Sequence, residues 1–423
     1  MIMRIKSIAS LLIVFGLLLQ INSGIAAAQA GRDARSTSIN PQPAQDRTGR
    51  KPSTTTPPKQ GNPIDDVDSG GIQINFERIG LLMVTRLQNK CVGYGFAIFH
   101  NGKLIKHGNG GYARRNPDTT PKHELPFEDD TRIDIASCTK TVVAIAVLKA
   151  LEMKGKTDAE LIYKYLPTNW KVPASVKALT FQDLLSHHSG LKKSDSGDYD
   201  GMRKIIEAGV SPDYDPEDGD YQNINFAMCR ILLPYIIAAP QMKPFENDPK
   251  KAGLVTAAAF SQFIRDYVFK PAGINKPIQF KPWHESGDLS KLALHYSYQD
   301  ATVAGLEPHD HTLDAGSGGL YVNAIELAQV MAALENNKLL AVNTRQMMKQ
   351  HNLGIFRVGN SAYWTHNGGF KDNKGRGIGS RLVLCPNNIQ IAIVINSASN
   401  ATGDTFDIVR DAVEDSVSKQ FKP

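Results

Sequence analysis

The sequence has no basic stripe, no internal repeat, no second long apolar run and no cysteine spacing of a zinc module, and each absence removes a class of function. The formal net charge is +6 over 423 residues. Arg4 and Lys6 supply two of those charges, and residues 31–70 add one more from six basic and five acidic side chains, leaving about +3 elsewhere. That is too little to hold a phosphate backbone, so no nucleic-acid partner is expected. Only four cysteines occur, Cys91, Cys138, Cys229 and Cys385, and four cysteines permit three pairings that sequence does not choose between. Cys138, Cys229 and Cys385 lie in apolar segments, where cysteine behaves as a small hydrophobe, so free buried thiols are expected. The acidic stretch 213–220 lacks the spaced ligands and closing Glu of a calcium loop. His309-Asp310-His311 has no third or fourth ligand nearby in the sequence, so no metal and no cofactor are expected.

What is present begins with an address. Arg4 and Lys6 precede an apolar run at 8–21, and Ala28-Gln29-Ala30 offers the small residues that a signal peptidase requires. Residues 1–30 therefore read as a secretory signal peptide, cut before Gly31, with the mature protein periplasmic or secreted. The run is short for a bilayer span, and no other stretch approaches that length, so no integral span is expected after cleavage. Residues 31–72 are rich in Pro, Ser, Thr, Gln and Gly with almost no large apolar side chains, which predicts a disordered linker. A folded domain over 73–423 follows. The overall composition, 41% hydrophobic and 21% charged, is ordinary for a globular protein and supports a sizeable core there.

Within that domain, helical spacing over 74–87 is followed by a strand at 92–99, an Asn101-Gly102 turn and a second strand at 104–111. Asn-Gly between two strand-like runs is a strong hairpin signal. A second hairpin is predicted near the other end, from 381–385 and 389–394 around Pro386-Asn387-Asn388, with a closing amphipathic helix over 404–418. Between them the chain is mainly helical: Thr180 with Asp183 forms a near capping box, and 258–269 and 324–334 have a period of 3.6 residues. Strands at both ends with helices between predict an α+β fold, one antiparallel sheet assembled from the two termini.

The stretch with most chemistry is Ser137-Cys138-Thr139-Lys140 and the run 141–151 after it. That run is apolar on nearly every face, which predicts a helix buried in the core. Ser137 and Lys140, three apart, share one face, where a desolvated amine can take the hydroxyl proton and make Ser137 a nucleophile. Ser189-Lys192 and Ser416-Lys419 repeat the spacing, but only Ser137 opens a buried helix. Tyr221 and Asn223 precede another apolar segment, and a tyrosine can relay protons while an asparagine holds an amide or an ammonium. His366-Asn367-Gly368-Gly369 sits at the head of the C-terminal hairpin, where glycines let a ligand approach backbone N–H donors.

In that order, Ser137-x-x-Lys140, Tyr221-x-Asn223 and His366-x-Gly368 resemble the three signature elements of the serine β-lactamase and penicillin-binding family. The stretches Leu184-Leu185-Ser186-His187-His188-Ser189-Gly190-Leu191 and Gly318-Gly319-Leu320-Tyr321 resemble its class C-like serine hydrolase branch, and the likeness covers about 74–420. It implies a β-lactamase/transpeptidase-like fold, an antiparallel sheet flanked by helices plus an all-helical subdomain, with acyl-enzyme chemistry between them. Carried over, Ser137 is the nucleophile, Lys140 its activating partner, Tyr221 the base and proton relay, and Asn223 a substrate amide contact. The oxyanion hole is then the N–H groups of Ser137 and Gly369, with Tyr321 structural.

Two departures bear on substrate. His366 stands where many relatives have Lys, which looks more like soluble DD-peptidases and esterases than class C β-lactamases, and Gln222 stands where relatives have Ser or Ala. The expectation is an exported serine hydrolase acting through an acyl-enzyme on a small-molecule or peptide ester or amide, D-alanyl peptides included. The alternatives are a β-lactamase and, in a different class, an inactive module that binds a cell-wall ligand.

Overall fold

A computed structural model describes residues 65–67, 72–115, 118, 124–191, 197–215, 219–398 and 402–419. The expected signal peptide and most of the expected linker lie outside these residues. Asp65–Val67 (β1), inside the stretch read as linker, pairs antiparallel with Ile72–Asn75 (β2), so the paired chain starts earlier than residue 73. Backbone pairing needs no large side chain, which is why composition did not mark it.

Phe76–Leu87 (α1) is a helix because Asn75 caps it, accepting from the Arg78 N–H at 2.8 Å. Its apolar face is Phe76, Ile79, Met83 and Leu87, all buried. Gly93–His100 (β3) is buried throughout and Lys103–Arg114 (β4) is largely exposed, so β3 is central and β4 lies nearer the edge. Asn101 (φ 50°) and Gly102 (φ 78°) make the left-handed turn that joins them. Two-residue strands follow at Leu125–Pro126 (β5), Ile133–Asp134 (β6), Tyr296–Ser297 (β7), Tyr321–Val322 (β8) and, near the other end, Ser397–Ala398 (β13). At the other end of the chain, Gly377–Cys385 (β11) and Ile389–Ile395 (β12) form the second predicted hairpin. Strand β12 lies antiparallel to β3 from Ile389 opposite His100 to Ile395 opposite Tyr94, so the two termini do build one sheet.

Trp364–Lys371 (β10) adds to β11 on the far side. The short Phe356–Arg357 (β9) pairs with Trp364 and Thr365, and among the described residues no strand lies on the outer side of the rest of β10. One face of the sheet is covered by α1 and the C-terminal helix: Phe406, Val409 and Val413 meet Tyr94, Phe96, Ile391 and Ile393 in one apolar cluster. That closing helix is Thr405–Glu414 (α10), shorter than expected. Val417–Lys419 leaves it as a strand, β14, antiparallel to β2.

The other face carries the helices. Thr139–Met153 (α2) is buried on nearly every side, as its all-round apolarity requires. Ala174–Lys177 (α3) and Phe181–Leu185 (α4) follow, the latter with the Thr180–Asp183 capping box present in full. Tyr199–Ala208 (α5), Asn223–Met242 (α6) and Pro249–Ile264 (α7) make the helical region around α2. Helix α7 begins nine residues before the predicted start, because Asp248 caps it and Pro249 takes a first-turn position. It passes into a π-turn over Arg265–Phe269. Ala324–Glu335 (α8) packs on β3 and β12, and Val342–Gln350 (α9) follows it. The segment Asn223–Phe245 is, contrary to expectation, long and apolar enough to cross a bilayer, but 72% of its most apolar window is buried inside the protein. All four cysteines are free and buried.

Candidate active site

Ser137 stands on a 3₁₀ turn, Ala136–Cys138, that leads straight into α2. The turn is held from three sides. Asp134 accepts from the Ala136 N–H at 2.8 Å and the Gly319 N–H at 3.2 Å, and Ser380 donates its hydroxyl to the Ile135 carbonyl at 2.6 Å. Ala136 itself sits at φ +44°, a left-handed conformation that a residue with a Cβ rarely adopts. Strain of this kind persists only where the surroundings over-determine it, and here they do.

One turn on, Lys140 is fully buried, and its Nζ donates to three oxygens: Ser137 Oγ at 2.9 Å, Asn223 Oδ1 at 2.9 Å and the Ser317 carbonyl at 2.6 Å. Ammonium has three protons, so all are placed. Burial nevertheless pushes the Lys140 pKa down to about 7, so near neutrality the amine is free about half the time.

Tyr221 covers this pair. Its ring is half-exposed, with the Lys140 Nζ 5.0 Å from its centroid and His187 stacked against it at 4.2 Å. Burial raises the Tyr221 pKa and a hydrogen bond with Ser137 works against that rise. His187 is held at φ +65°, and its Nδ1 takes the Gln222 N–H at 3.2 Å. Asn225, which accepts the Ser189 hydroxyl, lies 3.3 Å from the same nitrogen. The Leu184–Leu191 stretch therefore acts as the seat for Tyr221, and Gln222 contributes its backbone N–H to it while its side chain donates to Asp220.

His366 is buried on β10 with Phe356 5.2 Å away and Tyr221 6.4 Å away, ring to ring. Its Nδ1 lies 2.7 Å from the Asn367 carbonyl, which only accepts, so the ring proton is on Nδ1 and Nε2 carries a lone pair. Burial, then the nearby Lys140, push its pKa down to about 3, so the imidazole is neutral at physiological pH. Gly368 is where β10 touches the turn that carries Ser137: a Cβ there would meet the Ile135 carbonyl oxygen at 2.3 Å and the Ser137 nitrogen at 2.9 Å. Gly369, beside it, is exposed and opposite Gly379 of β11. The fold thus gathers Ser137, Lys140, Tyr221, Asn223, His366, Gly368 and Gly369 around one point. Tyr321 lies apart, fully buried, donating to the His309 carbonyl at 2.9 Å.

Sequence reasoning missed three contributors. The Ser317 carbonyl is a backbone atom with no residue-type signature, marked only by the glycines after it. Asp134 gave no signal at all. His187 was part of a recognised stretch but carried no role until its ring was seen against Tyr221. Near Asp134, His311 lies with Nε2 3.4 Å from Asp134 Oδ2 and Nδ1 3.2 Å from Asp314 Oδ1. Burial alone would disfavour its charge, but bonding to the two carboxylates outweighs that and raises its pKa to about 10.

The putative penicillin-binding protein PbpX of Bacillus subtilis (strain 168) is 26% identical over 273 residues, 62% of this chain and 61% of that protein. The match thus spans about three fifths of that relative's length. Among solved structures, the octameric penicillin-binding protein homologue from Pyrococcus abyssi superposes with a TM-score of 0.59 at 18% identity, covering 79% of this chain and 76% of the other. D-amino acid amidase from Ochrobactrum anthropi SV3, complexed with L-phenylalanine amide, gives 0.59 at 19%, covering 80% and 98%. At these identities the two structures speak for the fold alone. The profile of the beta-lactamase family matches residues 81–416, nearly the whole described domain, and the chain belongs to that family of serine hydrolases.

Proposed function

We propose that the protein is an exported serine hydrolase that cleaves small esters or amides through an acyl-enzyme on Ser137. The observation that carries this is the Lys140 Nζ, 2.9 Å from Ser137 Oγ with a pKa near 7. A base works best when its pKa matches the working pH. The neutral amine takes the hydroxyl proton as Oγ attacks the substrate carbonyl, and Asn223 Oδ1 and the Ser317 carbonyl receive the ammonium that forms. Tyr221, whose pKa is raised, is protonated at neutral pH, so it passes protons rather than accepting the first one. Its half-exposed ring lets it hand the proton held by Lys140 to the leaving group. For deacylation the same two groups run in reverse, taking a proton from water.

The N–H groups of Ser137 and Gly369 are the oxyanion donors in this reading, each contributing about 3 kcal/mol to the barrier reduction. Support comes from the approach of Gly368 to the Ser137 amide and from the outer edge of β10, which beyond Thr365 has no paired strand among the described residues. The neutral His366 offers no positive charge to a substrate carboxylate. This favours esters and amides that carry no carboxylate, a range that contains amino acid amides, over β-lactams or D-alanyl peptides bearing a terminal carboxylate. The test is hydrolysis of an activated acetate ester beside penicillins and D-Ala-D-Ala peptides, with Ser137→Ala as control. Ester turnover that disappears in Ser137→Ala is expected. Full activity in that variant overturns the assignment.

A further inference from the structure

The structure assigns a second site to this chain: we propose that His309, His311 and Asp314 bind one divalent transition-metal ion of the zinc type, on the loop that leads to Ser317. One ligand atom from each of the three lies within 4.8 Å of the others. The sequence offered His309 and His311 without a third ligand; the fold supplies it, because the loop turns back at 311–314, where the Asp314 N–H bonds to the His311 carbonyl at 3.1 Å. His311 Nδ1 and Asp314 Oδ1, 3.2 Å apart, have the separation of two neighbouring donors on one tetrahedral ion with bonds of about 2.0–2.1 Å.

The independent observation is what lies behind His311. Its other nitrogen, Nε2, faces Asp134 Oδ2 at 3.4 Å, and Asp134 is in turn fixed by the Ala136 and Gly319 N–H groups. A metal-bound histidine characteristically gives its second ring N–H to a carboxylate, which sets the tautomer and aims the free nitrogen at the ion. The loop is otherwise held by backbone. The His311 N–H bonds to the Phe280 carbonyl at 2.7 Å, and the His309 carbonyl accepts the Tyr321 hydroxyl. The outer side chains, His309 and Asp314, are exposed, which gives an ion its entry path and leaves a fourth position for water. The donor set, two imidazoles and a carboxylate, suits zinc and excludes a calcium preference. Binding replaces the proton between Nδ1 and Asp314 and leaves Nε2–H on Asp134. A second trio, Asp130, His284 and Glu285, also comes together, but both Glu285 oxygens face Lys276, at 2.9 and 2.7 Å.

The experiment uses the untagged, metal-stripped chain with Zn²⁺ alone as probe, read by titration calorimetry and by equilibrium dialysis with elemental analysis. One ion per chain is expected for the unaltered protein and for Ser137→Ala. His309→Ala and Asp314→Asn, both at exposed positions, should each weaken binding by at least about tenfold, since removing even a supporting carboxylate costs that much. Circular dichroism of the metal-free variants confirms folding. Three results overturn the site: no zinc bound by the unaltered chain, affinity unchanged in both variants, or binding lost in His284→Ala instead.

Discussion

Substituting Gly368 by alanine adds one methyl group where β10 meets the turn carrying Ser137. A Cβ there lies 2.3 Å from the Ile135 carbonyl oxygen and 2.4 Å from Ser380 Oγ, while contacts under 3.0 Å are essentially never seen. The Ile135 backbone must therefore retreat by at least 0.7 Å, the difference between 2.3 and 3.0 Å. It cannot do so freely, because the same carbonyl accepts the Ser380 hydroxyl and the Cys138 N–H. Overpacking of this kind costs about 1–3 kcal/mol of stability. A shift of about 1 Å in a reacting group costs roughly 10²-fold in rate, so kcat/KM should fall by that order. Gly369→Ala is the matched control. Its Cβ meets only the Ile378 carbonyl oxygen at 3.2 Å, and the backbone N–H is kept, so loss of rate should be a few-fold at most. Ester hydrolysis and urea unfolding on both variants decide the matter. Gly368→Ala with near-normal kcat/KM, or the two variants equally impaired, would refute the packing argument.

Three further outcomes are open to measurement, two from the geometry and one from the sequence of residues 1–30. With Lys140 as the base, kcat/KM should rise about tenfold per pH unit on the acid side and level off above about pH 7. His187 and His366, pushed down to about 4 and 3, are already neutral there and add no limb; a rise continuing to pH 10 would sink the lysine assignment. Arg132, fully buried and stacked 3.9 Å over Trp283, holds Glu326 with two bonds at 2.6 and 3.2 Å. Glu326→Ala strands that guanidinium and should cost about 3–5 kcal/mol in urea unfolding, with a value near zero counting against the pair. Export predicts that protein recovered from outside the cytoplasm begins at Gly31, which N-terminal sequencing reads directly; a chain still starting at Met1 contradicts cleavage.

Some features were legible because one short-range rule governs each. The two hairpins were marked by Asn-Gly and by Pro-Asn-Asn, and α2 by its unbroken apolarity. Others were misjudged at their ends. Helix α7 begins earlier because Asp248-Pro249 is a start signal that periodicity alone passes over. The last helix stops at Glu414 because β14 finds a partner in β2, more than three hundred residues away, and no local pattern encodes that partner.

The site divides the same way. By itself the sequence determined which side chains are the candidates for the chemistry: Ser137 and Lys140 at helical spacing, Tyr221, Asn223 and His366 in family order. Those are statements about residue type and interval, which covalent order fixes. Only the tertiary structure decided their condition. Lys140 has a lowered pKa because burial strips water from its ammonium. His366 is neutral because burial and the nearby Lys140 disfavour its charged form, and the Asn367 carbonyl, accepting from Nδ1–H, leaves Nε2 as the acceptor. His309 and His311 acquire Asp314 because the loop folds back on itself. Desolvation, backbone acceptors and through-space neighbours are properties of packing, and packing exists only once distant segments have met.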